Sequence, residues 1–488
     1  MKLSALVGGD NGAPAAALAA DQQVTGFAID HRKVAPGTIF GAFQGARVNG
    51  EDFIPAAVAS GAVAVVARPE ARVEGALHIA DAEPRRAFAA LTARFFAPFP
   101  DTCVAVTGTN GKTSTVELTR QLWRMAGFSA ASIGTLGVTT GDERVTTGLT
   151  TPDVVTFLSN MAGLAREGVS HVAFEASSHG LDQFRSEGVP VRAAAFTNLS
   201  RDHLDYHGTM EGYFDAKARL FGEVLGVGGT AVIWTDRQAE PIRGELPWRL
   251  LAKVAADRGL RVLTVGEDGE ALRLVAREPG LLGQVLTVEA DGRACTVKLP
   301  LIGAYQAYNA LTAAALVIAT GGDVAQTLAQ AERLQPVRGR LERAVIAMAG
   351  APVYVDYAHT PDALEAAIAA LKPHAAGRLI VVFGAGGDRD TGKRAAMGAV
   401  AVAQADTVYV TDDNPRSEDP AAIRAMVLEG AIGATEIGDR REAIGAAIAG
   451  AGPQDIVLIA GKGHEQGQVV GDRVLPFDDV TVAREMAA

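Results

Sequence analysis

Val104-Ala105-Val106-Thr107-Gly108-Thr109-Asn110-Gly111-Lys112-Thr113-Ser114 decides how the rest of the chain is read. An apolar run suited to a buried strand ends in a turn with two glycines, and Lys112-Thr113 opens a helical stretch to about Ala126. Glycines let backbone N–H groups approach phosphate closely, and a helix N-terminus favours negative charge. The lysine of such a loop reaches the β- and γ-phosphates of a nucleotide, and the next hydroxyl can ligate Mg²⁺. The strict pattern G-x-x-x-x-G-K-[ST] requires glycine at position 106, where Val106 stands. This is a variant loop, and its reading rests on the order strand, turn, Lys-Thr, helix.

Outward from the loop, strand-like runs at Thr102–Val106, His171–Phe174, Ala193–Thr197, Thr230–Trp234 and Val262–Val265 alternate with helix-like segments. That alternation predicts an α/β fold with a mostly parallel sheet. Leu282–Leu299 reads as a hairpin with Asp291-Gly292 at its tip. Before the loop, Val24–Ile29, Thr38–Phe43 and Ala62–Ala67 are short apolar runs. Ala87–Phe96 reads as a helix ended by Pro98 and Pro100. After it, Val353–Tyr357, Leu379–Phe383, Thr407–Thr411 and Ile456–Ala460 form a third group of strands, and a short strand and helix close the chain. The expected domains are residues 1–98, 99–334 and 335–488.

Bulk properties narrow the classes. The 488 residues exceed the roughly 100–200 of one domain, and 48% hydrophobic content supports large cores. A net charge of −11 argues against a nucleic-acid partner, whose binding surfaces are basic, but a nest of N–H groups still binds phosphate on an acidic protein. No apolar run approaches the ~18 residues needed to span a membrane, and the first residues lack a signal-peptide core. A cytoplasmic location without membrane insertion is expected. Cys103 and Cys295 are far apart and in no CxxC pattern, so neither a disulfide framework nor a zinc site is expected, and Cys103 reads as a small core residue.

Several loops follow strands and carry chemistry. Glu175 ends an apolar run, and a carboxylate at the carboxyl end of a parallel strand points into the ligand crevice. Thr197–Gly208 holds His203, His207 and two further aspartates, an unusual density for a solvated turn. Phe214, Lys217 and Phe221 share one helical face, so Lys217 either snorkels to water or is functional. Arg185 is suited to grip a carboxylate or phosphate with two N–H groups. Thr360-Pro361 reads as a helix start.

The loop Gly108-Thr109-Asn110-Gly111-Lys112-Thr113, with segments between about residues 25 and 470, resembles the Mur ligase family. Asp413-Asn414-Pro415-Arg416 narrows the likeness to diaminopimelate-adding members. The resemblance implies a central P-loop parallel-sheet ATPase domain between an N-terminal UDP-binding domain and a C-terminal Rossmann-like domain. It implies an ATP-dependent ligase in peptidoglycan synthesis that adds meso-2,6-diaminopimelate to the D-Glu of UDP-MurNAc-L-Ala-D-Glu, acting as a monomer. ATP would be held by Gly108, Thr109, Asn110, Gly111, Lys112, Thr113, Ser114, Asn309 and Arg340. Catalysis would fall to Lys112, Glu175, His203 and Lys217, with Mg²⁺ held by Thr113, Glu175, His203 and a CO₂-derived carbamate on Lys217. Arg32, Thr150, Thr151, Ser177, Gln183 and Arg185 would bind the UDP-MurNAc-dipeptide, although His31 stands where the family usually has serine. Diaminopimelate would meet Arg389, Asp413, Asn414, Pro415, Arg416, Gly461 and Glu465; Asp356 and His359 would face the same cleft. Two readings from other classes stay open on residues alone. A P-loop ATPase driving a conformational switch would hydrolyse ATP without an amine, and an inactive nucleotide-sugar binding module would have lost its metal ligands.

Overall fold

The computed structural model describes residues 1–8, 22–45, 48–141, 144–145, 150–388 and 391–488. The chain packs as two compact units, Met1–Leu263 with Ala319–Gly321, and Thr264–Ile318 with Gly322–Ala488. Residues 1–98 and the phosphate-loop region share one apolar core, in which Leu3, Phe27 and Phe88 belong to the same cluster as Cys103, Phe174 and Leu251.

In the first unit, Gly26–Ala28, Thr38–Gly41, Ala62–Ala67 and Leu77–Ala80 form a four-stranded parallel sheet. The larger sheet runs Thr230–Trp234, Val191–Phe196, Thr102–Thr107, His171–Glu175, Ala130–Gly134, Gly137–Thr139 and Arg144–Val145 in spatial order. The first five of these are parallel and the last two antiparallel. The parallel strands are apolar along their length because both faces are covered: Cys103, Val104, Ala105 and Val106 are all fully buried. Thr102–Thr107 lies between Val191–Phe196 and His171–Glu175, so the chain leaving each of the three enters one crevice at their carboxyl ends.

In the second unit, the hairpin Gly283–Ala290 and Arg293–Leu299 has the turn at Asp291-Gly292, where φ is +49° and +72°. The hairpin is extended by a third antiparallel strand, Leu272–Gly280. A second sheet has the order Glu342–Ile346, Pro352–Asp356, Ile456–Ala460, Leu379–Phe383, Thr407–Val410 and Thr435–Glu436. Only the first pairing is antiparallel, and the sheet is Rossmann-like. The helix Pro361–Leu371 starts as expected, with the Thr360 hydroxyl accepting from the Ala363 N–H and Pro361 in the first turn. Asp479–Met486 is the closing helix.

Candidate active site

The phosphate loop forms because only glycine fits its two sharp points. Gly108 has φ +144° and Gly111 +85°, the left-handed region, and a Cβ on Gly108 would collide with the Thr197 hydroxyl. The helix Lys112–Met125 follows directly, with Thr113 and Ser114 buried in its first turn. A strap after Val191–Phe196 holds the loop. Thr197 Oγ1 donates to the Asn110 carbonyl at 2.6 Å, Asn198 Oδ1 accepts from the Asn110 N–H at 2.9 Å, and the Asn198 carbonyl accepts from the Thr109 N–H at 2.9 Å. Thr109 Oγ1 accepts from the Ser200 N–H and the Tyr213 hydroxyl. Sequence reasoning missed Thr197, Asn198 and Tyr213 as loop partners, although all three lie in segments it singled out. For Thr197 and Asn198 the signal was position alone, at the end of a strand next to the loop strand; Tyr213 lies in the helix Met210–Arg219, four residues before Lys217.

Two ammonium groups share one acceptor. Lys112 Nζ donates to the Gly108 carbonyl at 2.9 Å and to Thr109 at 2.7 Å, and Lys217 Nζ donates to the same Gly108 carbonyl at 2.7 Å. Lys217 is 1% exposed. Burial, and then the charge of Lys112, pull its pKa well below the ordinary lysine value. Snorkelling is therefore excluded. The expected aromatic stripe is also corrected: the ammonium stands over Tyr213, 4.3 Å from its ring centre. The α-helix ends at Arg219 and continues as a π-turn, Leu220–Val224, so helical spacing no longer relates Lys217 to Phe221.

Glu175 is 2% exposed at the end of its strand. Its carboxylate accepts from the Thr135 N–H at 2.7 Å and faces the Thr135 hydroxyl at 3.4 Å, and that hydroxyl donates to Thr150 at 3.1 Å. Thr135 had no signal in the sequence. Thr151 Oγ1 donates to the Glu175 carbonyl and lies 3.0 Å from Ser177 Oγ, which caps the helix Ser178–Asp182. Arg185 donates to the Thr151 carbonyl at 3.1 Å and, through Nη2, to Gln183 Oε1 at 2.7 Å. Gln183 in turn donates to the Tyr206 hydroxyl, which bonds Asp182. Thr150, Thr151, Ser177, Gln183 and Arg185 are thus brought together beside Glu175.

His203 has φ +52° and a half-exposed imidazole 3.5 Å from Asp202. His179 joins it to His207, with ring centres at 4.9 and 5.4 Å. Among the described residues no group of three or more His, Cys, Asp or Glu side chains is placed to hold a metal ion. The residues nonetheless suit Mg²⁺, which takes one or two protein oxygens and completes its shell with water and phosphate. Glu175 is a buried carboxylate held by neutral donors, and such a group calls for a compensating cation. In the N-terminal part, Arg32 bonds Asp30 at 2.7 Å and holds that carboxyl at about 2. His31 is stacked flat on Phe53, 4.4 Å between ring centres. Together with Phe43 and Arg85 these residues line a pocket of about 480 Å³.

The second unit gathers its candidates at the carboxyl ends of its sheet. Asn414 Nδ2 donates to Glu465 Oε2 at 2.8 Å, and a Cβ on Gly461 (φ +117°) would strike the Asp413 carboxylate. Arg416, at φ +55°, donates to the Gly387 carbonyl at 2.6 Å while its N–H bonds Val469. Pro415 is buried, with its carbonyl against Gly387. Asp413, Asn414, Pro415, Arg416, Gly461 and Glu465 therefore converge; Arg389 lies outside the described residues. Asp356 ends Pro352–Asp356, and burial raises its pKa to about 6 against the opposing pull of Arg340 and the Leu341 N–H. Arg340 lies over the Tyr357 ring at 5.3 Å, its Nε without a partner among the described residues. The Arg340 carbonyl accepts from Gln306, whose Oε1 accepts from Asn309.

A glycine-built phosphate loop opening a helix in a parallel sheet, with a buried lysine and carboxylate at the same sheet edge, defines a nucleotide-binding α/β enzyme. The Mur ligase middle domain matches residues 106–317, the Mur ligase glutamate ligase domain residues 339–463, and the Mur ligase family catalytic domain residues 23–95. The chain belongs to the Mur ligase family. It is 61% identical over 469 residues, 95% of each chain, to UDP-N-acetylmuramoyl-L-alanyl-D-glutamate--2,6-diaminopimelate ligase of Zymomonas mobilis subsp. mobilis. With the protein of that name from Bradyrhizobium diazoefficiens it shares 51% over 485 residues, 98% of this chain and 97% of the other. A solved structure carrying the same enzyme name superposes with a TM-score of 0.74 at 33% identity, covering 100% of this chain and 98% of that one. MurF of Thermotoga maritima in complex with ADP, at TM-score 0.58 and 21% identity over 95% of this chain and 97% of that one, shares the fold.

Proposed function

We propose that the chain is an ATP-dependent ligase forming the amide bond between the D-Glu of UDP-MurNAc-L-Ala-D-Glu and meso-2,6-diaminopimelate, in peptidoglycan synthesis. The observation that carries this is 61% identity over 469 residues with a ligase of that name, in a chain that has Asp413-Asn414-Pro415-Arg416. The three-module reading, 1–98 for UDP, 99–334 for ATP and 335–488 for the amino acid, is part of the proposal, as are a monomeric state and a cytoplasmic location.

Phosphates of ATP lie against the first turn of Lys112–Met125, where a helix start and its dipole favour anions. Lys112 swings from the loop carbonyls to the phosphates. The D-Glu carboxylate attacks the γ-phosphorus, ADP leaves, and an acyl phosphate forms. The amine then attacks the acyl carbon, giving a tetrahedral intermediate that expels phosphate. Thr113, Glu175 and His203, with Lys217 as its carbamate, are the groups suited to hold Mg²⁺, which when bound supplies charge neutralisation on the transferring phosphoryl group. Lys217 is suited to carbamylation because only the neutral amine reacts with CO₂ and its site disfavours the ammonium. Asn309 and Arg340 complete the ATP contacts. Arg185, held by Gln183 and Thr151, presents its guanidinium to the dipeptide, and Arg32 with its neighbours faces the UDP. Arg389, Asp413, Arg416, Gly461 and Glu465 take the amino acid.

The test is phosphate release from ATP with UDP-MurNAc-L-Ala-D-Glu and meso-diaminopimelate, L-lysine or no amine. Release and tripeptide formation that depend on diaminopimelate are expected. Equal release in all three arms would mean an ATPase, and release with lysine alone would leave the family and discard the reading of residues 413–416.

A further inference from the structure

The loops that gather the amine-donor residues enclose a cation to which nothing above assigns a role. Lys462 is fully buried. Its Nζ donates to Asn414 Oδ1 at 3.0 Å and to the Gly467 carbonyl at 2.6 Å, and it lies 3.5 Å from Glu465 Oε2. An ammonium has three N–H donors; two are bonded to protein oxygens and the Glu465 carboxylate lies 3.5 Å off, and the side chain is closed to solvent, so Lys462 does not reach a ligand directly. Any influence on a substrate passes through its neighbours.

Those neighbours are oriented by it. Asn414 Oδ1 accepts from both Lys462 and the Val469 N–H, the latter at 2.9 Å, which obliges the amide Nδ2 to face Glu465. A reversed amide would set its NH₂ against two donors. Glu465 Oε2 receives both the Asn414 N–H and the field of the ammonium, while the side chain stays 34% exposed. The carboxylate is thus fixed on one side and open on the other. A buried ammonium is expensive unless paired, and a methionine would fill the same volume at lower cost.

We infer that Lys462 is a positioning residue for the amine donor: it locks the Asn414 amide and holds the Glu465 carboxylate where it meets the donor's second, distal ammonium. This rests on the proposed function. The geometry makes the distal amino group, rather than the distal carboxylate, the feature that Lys462 controls.

The experiment compares wild type, Lys462→Met and Lys462→Gln with two donors, meso-diaminopimelate and 2-aminopimelate, which keeps the distal carboxylate and lacks the distal amine. Removing a charge-assisted contact is expected to raise KM for diaminopimelate roughly ten- to a hundredfold. kcat, KM for ATP and KM for 2-aminopimelate stay within about twofold, a pattern that general loosening of the loops would not give. The glutamine variant, which can still donate one hydrogen bond to Asn414, falls between. Equal losses on both donors, an unchanged KM for diaminopimelate, or failure of both variants to melt cooperatively would overturn the inference and leave Lys462 a structural residue. Wild-type enzyme without diaminopimelate-dependent phosphate release would instead sink the functional reading, and the inference with it.

Discussion

Two buried titratable groups show how single residues are set against the fold. Lys217 has its ammonium in a dry site beside Lys112, an arrangement that stores a cost in the cation and relieves it when the amine turns into an anionic carbamate. Activity in CO₂-depleted buffer should therefore fall and return on adding bicarbonate, while Lys217→Ala should lose about 10²–10³-fold with no such recovery. An unchanged rate in CO₂-free buffer would remove the carbamate from the mechanism. Asp356 is the mirror case. Its carboxyl titrates near 6 in the fold against a usual 3.8. Below pH 4 both states are protonated and nothing is lost. Between about 4 and 6 the unfolded chain releases the proton first, so stability drops as pH rises, by about 3 kcal/mol once above 6. Asp356→Asn keeps an acceptor for the Leu341 N–H and should flatten this part of the curve of Tm against pH. A parallel curve for the variant would show that Asp356 titrates normally.

At the scale of elements, legibility followed burial pattern. Ala62–Ala67, Thr230–Trp234, Leu379–Phe383 and Ile456–Ala460 have the bounds their apolar runs suggested, because strands covered on both faces carry little but apolar side chains. Leu272–Gly280 did not announce itself: one face is wet and its outer half is exposed, so no apolar run marks it. The candidate site was legible where chemistry sits at or just past the carboxyl end of a strand, as at Glu175 and Asp413–Arg416. It was illegible where the partner is a backbone or a distant hydroxyl, as with Thr135 on Glu175. Elements are also tied by a pair that no periodicity reveals. Arg440 and Asp479, both fully buried, open the helices Arg440–Ala449 and Asp479–Met486 and bond at 2.7 and 2.8 Å. Arg440 Nη2 also donates to the Ala460 carbonyl, one residue before Gly461. Removing one partner strands a charge, so Arg440→Met should cost about 3–5 kcal/mol, while the double change to Arg440→Met with Asp479→Leu should recover most of it. Chemical denaturation of Arg440→Met, Asp479→Leu and the double variant decides this; additive losses would mean the pair is not coupled.

The whole molecule raises the question of what couples to what. Among the described residues, one apolar cluster from Leu3 to Leu260 lies in the first unit, and the clusters around Phe383 and Val457 lie in the second. Cooperativity of unfolding follows a shared core, and two units that each carry a core of their own should give two calorimetric transitions. Ligands then report where they bind, since anything that binds only the folded form stabilises it by about 2.7 kcal/mol at a hundred times its Kd. Diaminopimelate should raise one transition and leave the other in place, because Asp413, Asn414, Arg416 and Glu465 all belong to the second unit. Adenine nucleotide should raise the transition of the first unit, which owns Gly108–Ser114. Asn309 and Arg340 sit in the other unit, and their proposed part in ATP binding requires that nucleotide raise the second transition as well. If nucleotide moves only the first, those two residues leave the ATP site and the loop with its helix carries the nucleotide alone. A single transition that shifts with either ligand would show that the units unfold together.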